Sequence, residues 1–274
     1  MDTQPNNSRK GKLLIALGFI VIGVLFLWYS RYQDSEFLTP STFDIIQRIA
    51  YGFYIILIAC FGAIFYGLYL YHKEKARKKE TDLLSIIAQV TWNHKSKRVF
   101  IITFVGYGIF FSLASGILIY QPQIDFEYHY GAKIPSGFVA PCCDGPGYMP
   151  KVIVYLTNHL GLQVIPINLV LQVTVSSLVG LNTAIAVSAY QISKKGSGAS
   201  SVGAVTGLFV ACPTCAGTFL SIFVGTASGI AISSALIQMQ TLFIALSIPI
   251  LLVTPFILAK KLQNPDGSCK INSS

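Results

Sequence analysis

The chain has 274 residues, of which 53% are hydrophobic and only 11% are charged, and its mean hydropathy is +0.61. Soluble domains carry about 25% charged residues, so this composition excludes an ordinary soluble protein and places most of the chain in lipid. The net charge of +9 does not indicate nucleic-acid binding, because the basic residues flank apolar segments and no nucleic-acid-binding motif is present.

Six apolar segments are long enough to cross a bilayer, which requires about 20 residues each. None contains Asp, Glu, Lys, Arg or His in its interior. The sequence therefore predicts an all-α, polytopic integral membrane protein. Aromatic residues typical of the membrane interface lie near several ends, namely Trp28, Tyr29, Tyr51, Tyr71, Tyr120 and Tyr190. The predicted spans are Leu13–Tyr29, Ile49–Tyr71, Val99–Tyr120, Ile165–Tyr190, Val202–Gly225 and Met239–Ala259.

The distribution of basic residues predicts the orientation of these spans. With the N-terminus in the cytoplasm, 16 of the 20 basic residues lie on the cytoplasmic side, as the positive-inside rule requires. We therefore expect a multi-pass protein of the cell membrane with both termini in the cytoplasm. The first span has a basic lead-in, as signal peptides do, but no small-residue cleavage site follows it, so we expect a retained helix.

The loops divide the chain into three sections. Residues 1–120 hold the first three spans and a basic cytoplasmic loop, residues 121–164 form an outward-facing loop, and residues 165–274 hold the last three spans. Each of the two loops is expected to contain a short interfacial helix. In the cytoplasmic 73–98 loop the residues with helical spacing are Leu83, Ile86, Ile87 and Val90. In the 121–164 loop, Pro150 suits a helix start, and the predicted face consists of Val152, Tyr155, Leu156, His159 and Leu160.

The fourth and fifth predicted spans carry complementary stripes at four-residue spacing. Small residues let helix backbones approach closely, and buried amides find partners across such contacts. The pattern predicts tight packing between these two spans. The polar stripe consists of Asn168, Gln172, Ser176 and Gly180, and the small-residue stripe of Gly203, Gly207, Ala211 and Cys215.

The most informative motif is Cys212-Pro213-Thr214-Cys215, halfway along the fifth predicted span. Cys212 and Cys215 lie on neighbouring edges of one helical face, at a separation that suits a disulfide, about 4.4–6.8 Å between α-carbons. Pro213 cannot donate a backbone hydrogen bond, so it should kink or break the helix. The pairing favours chemistry inside the membrane, either electron transfer through a disulfide or capture of a soft metal ion.

A second cysteine pair, Cys142-Cys143, lies in the outward loop within a turn rich in Pro and Gly. Outward-facing thiols meet an oxidising environment. Adjacent cysteines can form a strained disulfide, bond to other partners or offer two thiolates to one metal ion. We expect no role for Cys60 or Cys269. Nearby side chains that could join the pair as metal ligands are His129 and His159, with Tyr128 and Tyr130.

An outward cysteine pair together with a Cys-x-x-Cys motif on a membrane helix resembles vitamin K epoxide reductases and disulfide-forming quinone reductases. That resemblance implies that Cys142 and Cys143 shuttle electrons and that Cys212 and Cys215 face a quinone. It covers these four positions alone, and six spans and adjacent loop cysteines depart from the pattern. The cysteines also resemble those of mercury and copper(I) transport proteins, which implies soft-metal binding at the same residues.

The leading hypothesis is membrane thiol–disulfide electron transfer between the two cysteine pairs, with a lipid-soluble quinone or an external thiol protein as partner. The second is binding or transport of a soft metal such as copper(I), since thiolates select soft ions. The third is a non-catalytic subunit or scaffold of a membrane complex. The lipid bilayer is a partner in all three.

Overall fold

A computed structural model describes residues 7–32, 42–78, 82–141, 147–194 and 248–260. The described residues are mostly helical, and four of the described helices are long and apolar enough to cross a membrane. Only 11–39% of the residues in the apolar windows of these four helices are buried, which is compatible with a membrane location. The helices are α1 Asn7–Tyr29, α2 Phe43–Lys78, α3 Leu83–Trp92, α4 His94–Ala114, α5 Phe126–Tyr130, α6 Pro166–Lys194 and α7 Ile248–Lys260.

The first four predicted spans correspond to α1, α2, α4 and α6. Helix α2 is longer than predicted, because it continues through the charged residues after Tyr71 to Lys78. The fifth predicted span, Val202–Gly225, lies outside the described residues. Of the sixth, Met239–Ala259, only the part from residue 248 is described, as α7. The total of six spans therefore stays a prediction.

The third predicted span, Val99–Tyr120, extends too far at its C-terminal end. Helix α4 ends at Ala114 and not at Tyr120. Gly116 has a φ of +70°, a left-handed conformation that favours glycine and ends helices. The following residues form strand β1, Leu118–Tyr120.

The outward loop is a β-sheet, so the all-α prediction and the predicted helix after Pro150 are both wrong. Four antiparallel strands lie in the order β1-β4-β3-β2, with β2 at Ser136–Ala140, β3 at Lys151–Tyr155 and β4 at Leu160–Val164. The segment after Pro150 contains a run of β-branched residues, which favours strand over helix. Open sheet edges are not stable in hydrocarbon, so a sheet of this kind does not form part of a membrane span.

The short helix α5 covers one face of the sheet. Phe126 is 3% exposed, and its ring centroid lies 5.2 Å from that of Tyr155 on β3. Asp125 caps the helix by accepting hydrogen bonds from the backbone N–H groups of Glu127 and Tyr128. The Asn158 side chain donates to the same carboxylate at 3.0 Å, so α5 is fastened to the turn between β3 and β4.

The described residues form two compact units. In the first, from Met1–Glu74 and Ile109–Val173, α1 and α2 run antiparallel and pack side by side. Their contacts extend from Ser8, whose backbone N–H donates to the Glu74 carboxylate, to Tyr29, whose ring lies 5.1 Å from that of Phe53. The buried core of this unit consists of Ile22, Leu25, Tyr29, Ala50, Phe53, Leu57, Cys60, Ile64, Val139 and Met149.

In the second unit, from Lys75–Gly108 and Thr174–Ser274, a helix is present where the cytoplasmic loop predicts one. Its apolar residues, however, face the protein and not a membrane surface. Ile86, Ile87 and Val90 of α3 are buried against Ile185 of α6 and Ala259 of α7. Helix α3 therefore lies at the predicted residues, but its apolar face packs within the unit, and an interfacial position is not shown.

The polar stripe of the fourth predicted span has partners on α4 and directly after its end. Asn168 donates to the backbone carbonyl of Ser115 at 3.3 Å, and Gln172 donates to the Ser112 hydroxyl at 2.6 Å. Ser176 is 1% exposed, and its hydroxyl has no hydrogen-bond partner among the described residues. The small-residue stripe of residues 203–215 lies outside those residues, so the predicted packing of the fourth and fifth spans stays a prediction.

Candidate thiol site

The outward cysteine pair belongs to the connection of a β-hairpin. Strands β2 and β3 are antiparallel neighbours, with Ala140 paired to Lys151, so residues 141–150 connect them. Cys142 and Cys143 lie early in this connection and outside the described residues. Both flanks of the pair are described, and each forms hydrogen bonds with the long helices of the first unit.

The first flank is held by a buried tyrosine. The hydroxyl of Tyr29, at the end of α1, donates to the backbone carbonyl of Pro141 at 2.6 Å. Tyr29 is 0% exposed. Because removing a buried donor leaves its acceptor unpaired at a cost of about 1–3 kcal/mol, this hydrogen bond fixes the residue that directly precedes Cys142.

The second flank is held at two places. The Tyr54 hydroxyl of α2 lies 2.6 Å from the carbonyl oxygen of Pro150 and 2.9 Å from that of Val164, and it can donate to either. Nearer the cysteines, the carbonyl of Gly147 accepts from the backbone N–H of Ile167 in the first turn of α6. Gly147 has a φ of +85°, so a side chain at this position would be strained.

An aromatic cluster lies beneath the connection. Phe53 is its centre, with ring centroids 5.4 Å from Phe26, 5.1 Å from Tyr29 and 5.7 Å from Tyr54. Met149 of the connection is buried in the same core. The cluster gives the connection a rigid apolar support at the outer ends of α1 and α2.

The intramembrane pair, Cys212 and Cys215, lies outside the described residues, as does Cys269. Cys60 is described: it is a free thiol, 7% exposed, within the α1–α2 core. Within the described ranges, no group of three or more His, Cys, Asp or Glu residues is arranged to hold a metal ion.

The two histidines suggested as further metal ligands are both described. His129 belongs to α5, and His159 belongs to the turn between β3 and β4. His159 Nδ1 lies 2.9 Å from the Ile124 carbonyl, and His129 Nδ1 lies 3.3 Å from that of Asp125. That they join Cys142 and Cys143 stays a prediction, because the two cysteines lie outside the described residues.

Tyr29 and Tyr54 are the site residues that the sequence reasoning missed. Tyr29 was interpreted as an interfacial anchor, but its side chain is buried beneath the hairpin connection. The available signal was helical spacing: Tyr29 shares a face with Ile22 and Leu25 of the buried core. Of the other expected anchors, Trp28 is 42% and Tyr51 49% exposed, as membrane-interface residues are.

No protein-family model, curated protein or solved structure matches this chain. The described residues define the class: a mostly helical protein with four candidate membrane-spanning helices and a four-stranded β-sheet.

Proposed function

We propose that this protein transfers electrons across a membrane-embedded thiol relay. The Cys212/Cys215 pair exchanges with the outward Cys142/Cys143 pair, and a lipid-soluble quinone or an external thiol protein is the further partner. The observation that supports this best is the double attachment of residues 141–150. A connection that only spanned two strands would not require the buried Tyr29 hydroxyl at Pro141 and the half-buried Tyr54 hydroxyl at Pro150.

The chemistry balances as a two-electron exchange. A thiolate of one pair attacks a sulfur of the other pair's disulfide and forms a mixed disulfide. The second thiol of the attacking pair then attacks the partner sulfur of its own pair in the mixed disulfide and releases the other pair. The attacking dithiol has become a disulfide, and the other pair's disulfide has become a dithiol. With a quinone, the dithiol gives up two electrons and two protons, and the quinone leaves as a quinol. A disulfide between adjacent cysteines is strained, and strained disulfides are the labile, catalytic ones.

The proposed topology has six spans in the cell membrane, with both termini in the cytoplasm. The basic residues support it, since 16 of 20 then lie on the cytoplasmic side. In this orientation the hairpin connection faces outward, where thiols are readily oxidised. The fifth span, Val202–Gly225, then brings Cys212 and Cys215 into the membrane interior.

Alkylation trapping of the full-length protein in its native membranes tests the proposal. Acid quenching followed by a mass-tagged maleimide counts free thiols in the wild type and in Cys212→Ser, Cys215→Ser, Cys142→Ser and Cys143→Ser. We expect a mixture of oxidised and reduced protein, and a trapped mixed disulfide in one variant of each pair. Cys60→Ser is the matched control, because this buried free thiol should not alter the pattern. Thiols that stay fully reduced with oxidised quinone present would contradict electron transfer.

The rival chemistry has its own measurement. If the cysteines bind copper(I), the purified protein contains stoichiometric metal, which the same Cys→Ser variants remove. Reduced, metal-free thiols, with Cys212→Ser functionally silent, would instead favour a scaffold in a membrane complex.

The attachment of the connection is tested by Tyr29→Phe and Tyr54→Phe. Each change removes one hydroxyl and keeps the ring, at a cost of about 1 kcal/mol. We expect faster alkylation of reduced Cys142 and Cys143 and slower exchange between the pairs. Tyr51→Phe is the control, because Tyr51 is 49% exposed on the same helix. Equal rates in all three variants would show that the tyrosines do not position the cysteines.

A further inference from the structure

The exposed face of α4 begins with two cations and continues with apolar residues. Lys95, Arg98, Ile102 and Val105 follow one another at three- and four-residue intervals, so they share a face of the helix. All four side chains are exposed, Ile102 by 72% and Val105 by 50%, and Ile101 beside them is 58% exposed. We call this set, Lys95, Arg98, Ile101, Ile102 and Val105, the basic-apolar face of α4.

The opposite face of α4 fixes this orientation. Ser96 is buried, and its hydroxyl lies 2.9 Å from that of Ser188 on α6. One turn further on, Phe100 contacts Gly180 closely, since a Cβ built on that glycine would lie 3.1 Å from the ring. Residues 95, 98 and 102 therefore point away from α6.

The two cations have no acidic counterpart nearby in the chain. The stretch from Leu83 to Ile124 contains no Asp or Glu. Among the described residues, no carboxylate forms an ion pair with Lys95 or Arg98, whereas Lys75 pairs with Asp82 at 3.6 Å. The neighbouring Lys97 is also engaged, because its Nζ lies 3.7 Å from the centroid of the Trp92 ring.

The position of this face along the helix is that of a membrane boundary. The apolar span begins at His94, so the cations lie at its first turn and the exposed apolar residues extend into the span. Trp92, directly before the span, is the kind of residue enriched at membrane interfaces. A molecule that fits the whole face carries a negative charge next to a hydrocarbon chain.

We propose that the basic-apolar face of α4 binds an anionic phospholipid. The phosphate pairs with Lys95 and with the fork of Arg98 N–H groups, which suits phosphate oxygens. The acyl chains lie along Ile101, Ile102 and Val105. A free anion would use only the two cations and leave the adjoining apolar surface unused. The proposal is independent of the cysteine chemistry.

The two tryptophans of the chain give a direct test. In a Trp28→Phe background, Trp92 reports on the proposed site alone. The full-length protein is reconstituted in phosphatidylcholine vesicles that contain a minor fraction of phosphatidylglycerol brominated near the carboxyl end of its chains. Quenching of Trp92 is compared with that by brominated phosphatidylcholine at the same fraction. We expect stronger quenching by phosphatidylglycerol.

Charge variants show whether the preference belongs to this face. Lys95→Gln or Arg98→Gln should weaken the phosphatidylglycerol preference by about fivefold each, the effect of about 1 kcal/mol per cation near a membrane surface. Lys95→Arg should retain it. The control is the double change Lys10→Gln and Lys12→Gln on α1, which removes two charges elsewhere and should leave Trp92 quenching unchanged.

Three results would overturn the proposal. One is equal quenching by the two lipids in the parent protein. Another is an equal loss in the α1 double variant, which would indicate diffuse attraction to the whole basic surface. The third is displacement of the lipid by millimolar inorganic phosphate, which would assign the cations to a free anion.

Discussion

In two helix pairs of this protein, α1–α2 and α4–α6, the two helices of each pair pack together by different means. In the α1–α2 pair, backbones touch: a Cβ built on Gly67 would lie 2.8 Å from the carbonyl oxygen of Gly11, and one built on Gly11 would lie 2.7 Å from that of Gly67. In the α4–α6 pair, side chains make the contacts, through the hydrogen bonds of Gln172 with Ser112 and of Ser96 with Ser188.

The difference shows two ways to join helices where lipid is as apolar as the side chains. Close backbone approach gains van der Waals contact and tolerates no added atom, whereas side-chain hydrogen bonds contribute little each and tolerate adjustment. The rigid pair also supports the hairpin connection, since both tyrosines that hold it belong to α1 and α2. We therefore expect the α1–α2 pair to be the more sensitive to substitution.

The largest effect is expected from Gly67→Ala. The added methyl group meets the Gly11 carbonyl oxygen, a backbone atom that cannot move without shifting α1. We expect the free energy of unfolding to fall by about 2 kcal/mol, measured by titration with dodecyl sulfate in mixed micelles. Gly62→Ala on the same helix is the matched control, because nothing lies within 4 Å of its Cβ position. Both changes alter helix propensity equally, so equal stabilities would refute the backbone contact.

A smaller effect is expected from Gly180→Ala in the other pair. Its new Cβ would lie 3.1 Å from the Phe100 ring and 3.2 Å from the Phe100 carbonyl oxygen. Both distances exceed 3.0 Å, so the ring and the carbonyl oxygen each need to move by only a few tenths of an ångström, and a loss of about 1 kcal/mol is expected. Gly106→Ala on α4, with nothing within 4 Å, should cause no loss of stability in the same titration, because alanine favours a helix over glycine. A loss as large as that of Gly67→Ala would remove the contrast between the two pairs.

The hydrogen bond between Gln172 and Ser112 should contribute less again. A double-mutant cycle of Gln172→Leu and Ser112→Ala isolates the pair from any other partner of either side chain. We expect a coupling energy of about 0.6 kcal/mol, with about 1.7 kcal/mol as the upper end for membrane helices. A coupling energy near zero would mean that packing alone, without this hydrogen bond, holds α4 and α6 together.

The sequence predicted the four described spans because each is a long apolar run without internal charge. It failed at the sheet, since Val152, Tyr155 and Leu156 satisfy a helical period while Val152 and Val154 satisfy a strand period. A short apolar segment fits both. The deciding signal was the β-branched run from Val152 to Val154, which favours a strand.

The candidate site was predictable only in its chemistry. The four cysteines stand out by residue type and spacing, whereas the residues that hold the outward pair do not. Tyr51 and Tyr54 both lie near the start of the second predicted span, yet Tyr51 is 49% exposed and Tyr54 donates to a hairpin carbonyl. A tyrosine at the end of an apolar run suits the membrane interface and a buried hydrogen bond equally well. The choice between them depends on the fold of residues 118–164.

The smallest effect concerns the hydrogen bond between Asn158 and Asp125 beside the β-sheet. It differs from the hydrogen bond between Gln172 and Ser112 because its carboxylate titrates. The hydrogen bond from Asn158, with others from backbone N–H groups of α5, holds the pKa of Asp125 below its ordinary value. This contact therefore stabilises the fold above the unfolded-state pKa of about 3.9, and the contribution is lost as the pH falls through the lowered folded-state pKa. Carbon-13 spectra of Asp-labelled protein, assigned with Asp125→Asn, report that pKa directly. Asn158→Ala should raise it toward the ordinary value, whereas Gln172→Leu should leave it unchanged; an Asp125 that titrates normally in the wild type would show that the cap and the turn are not joined.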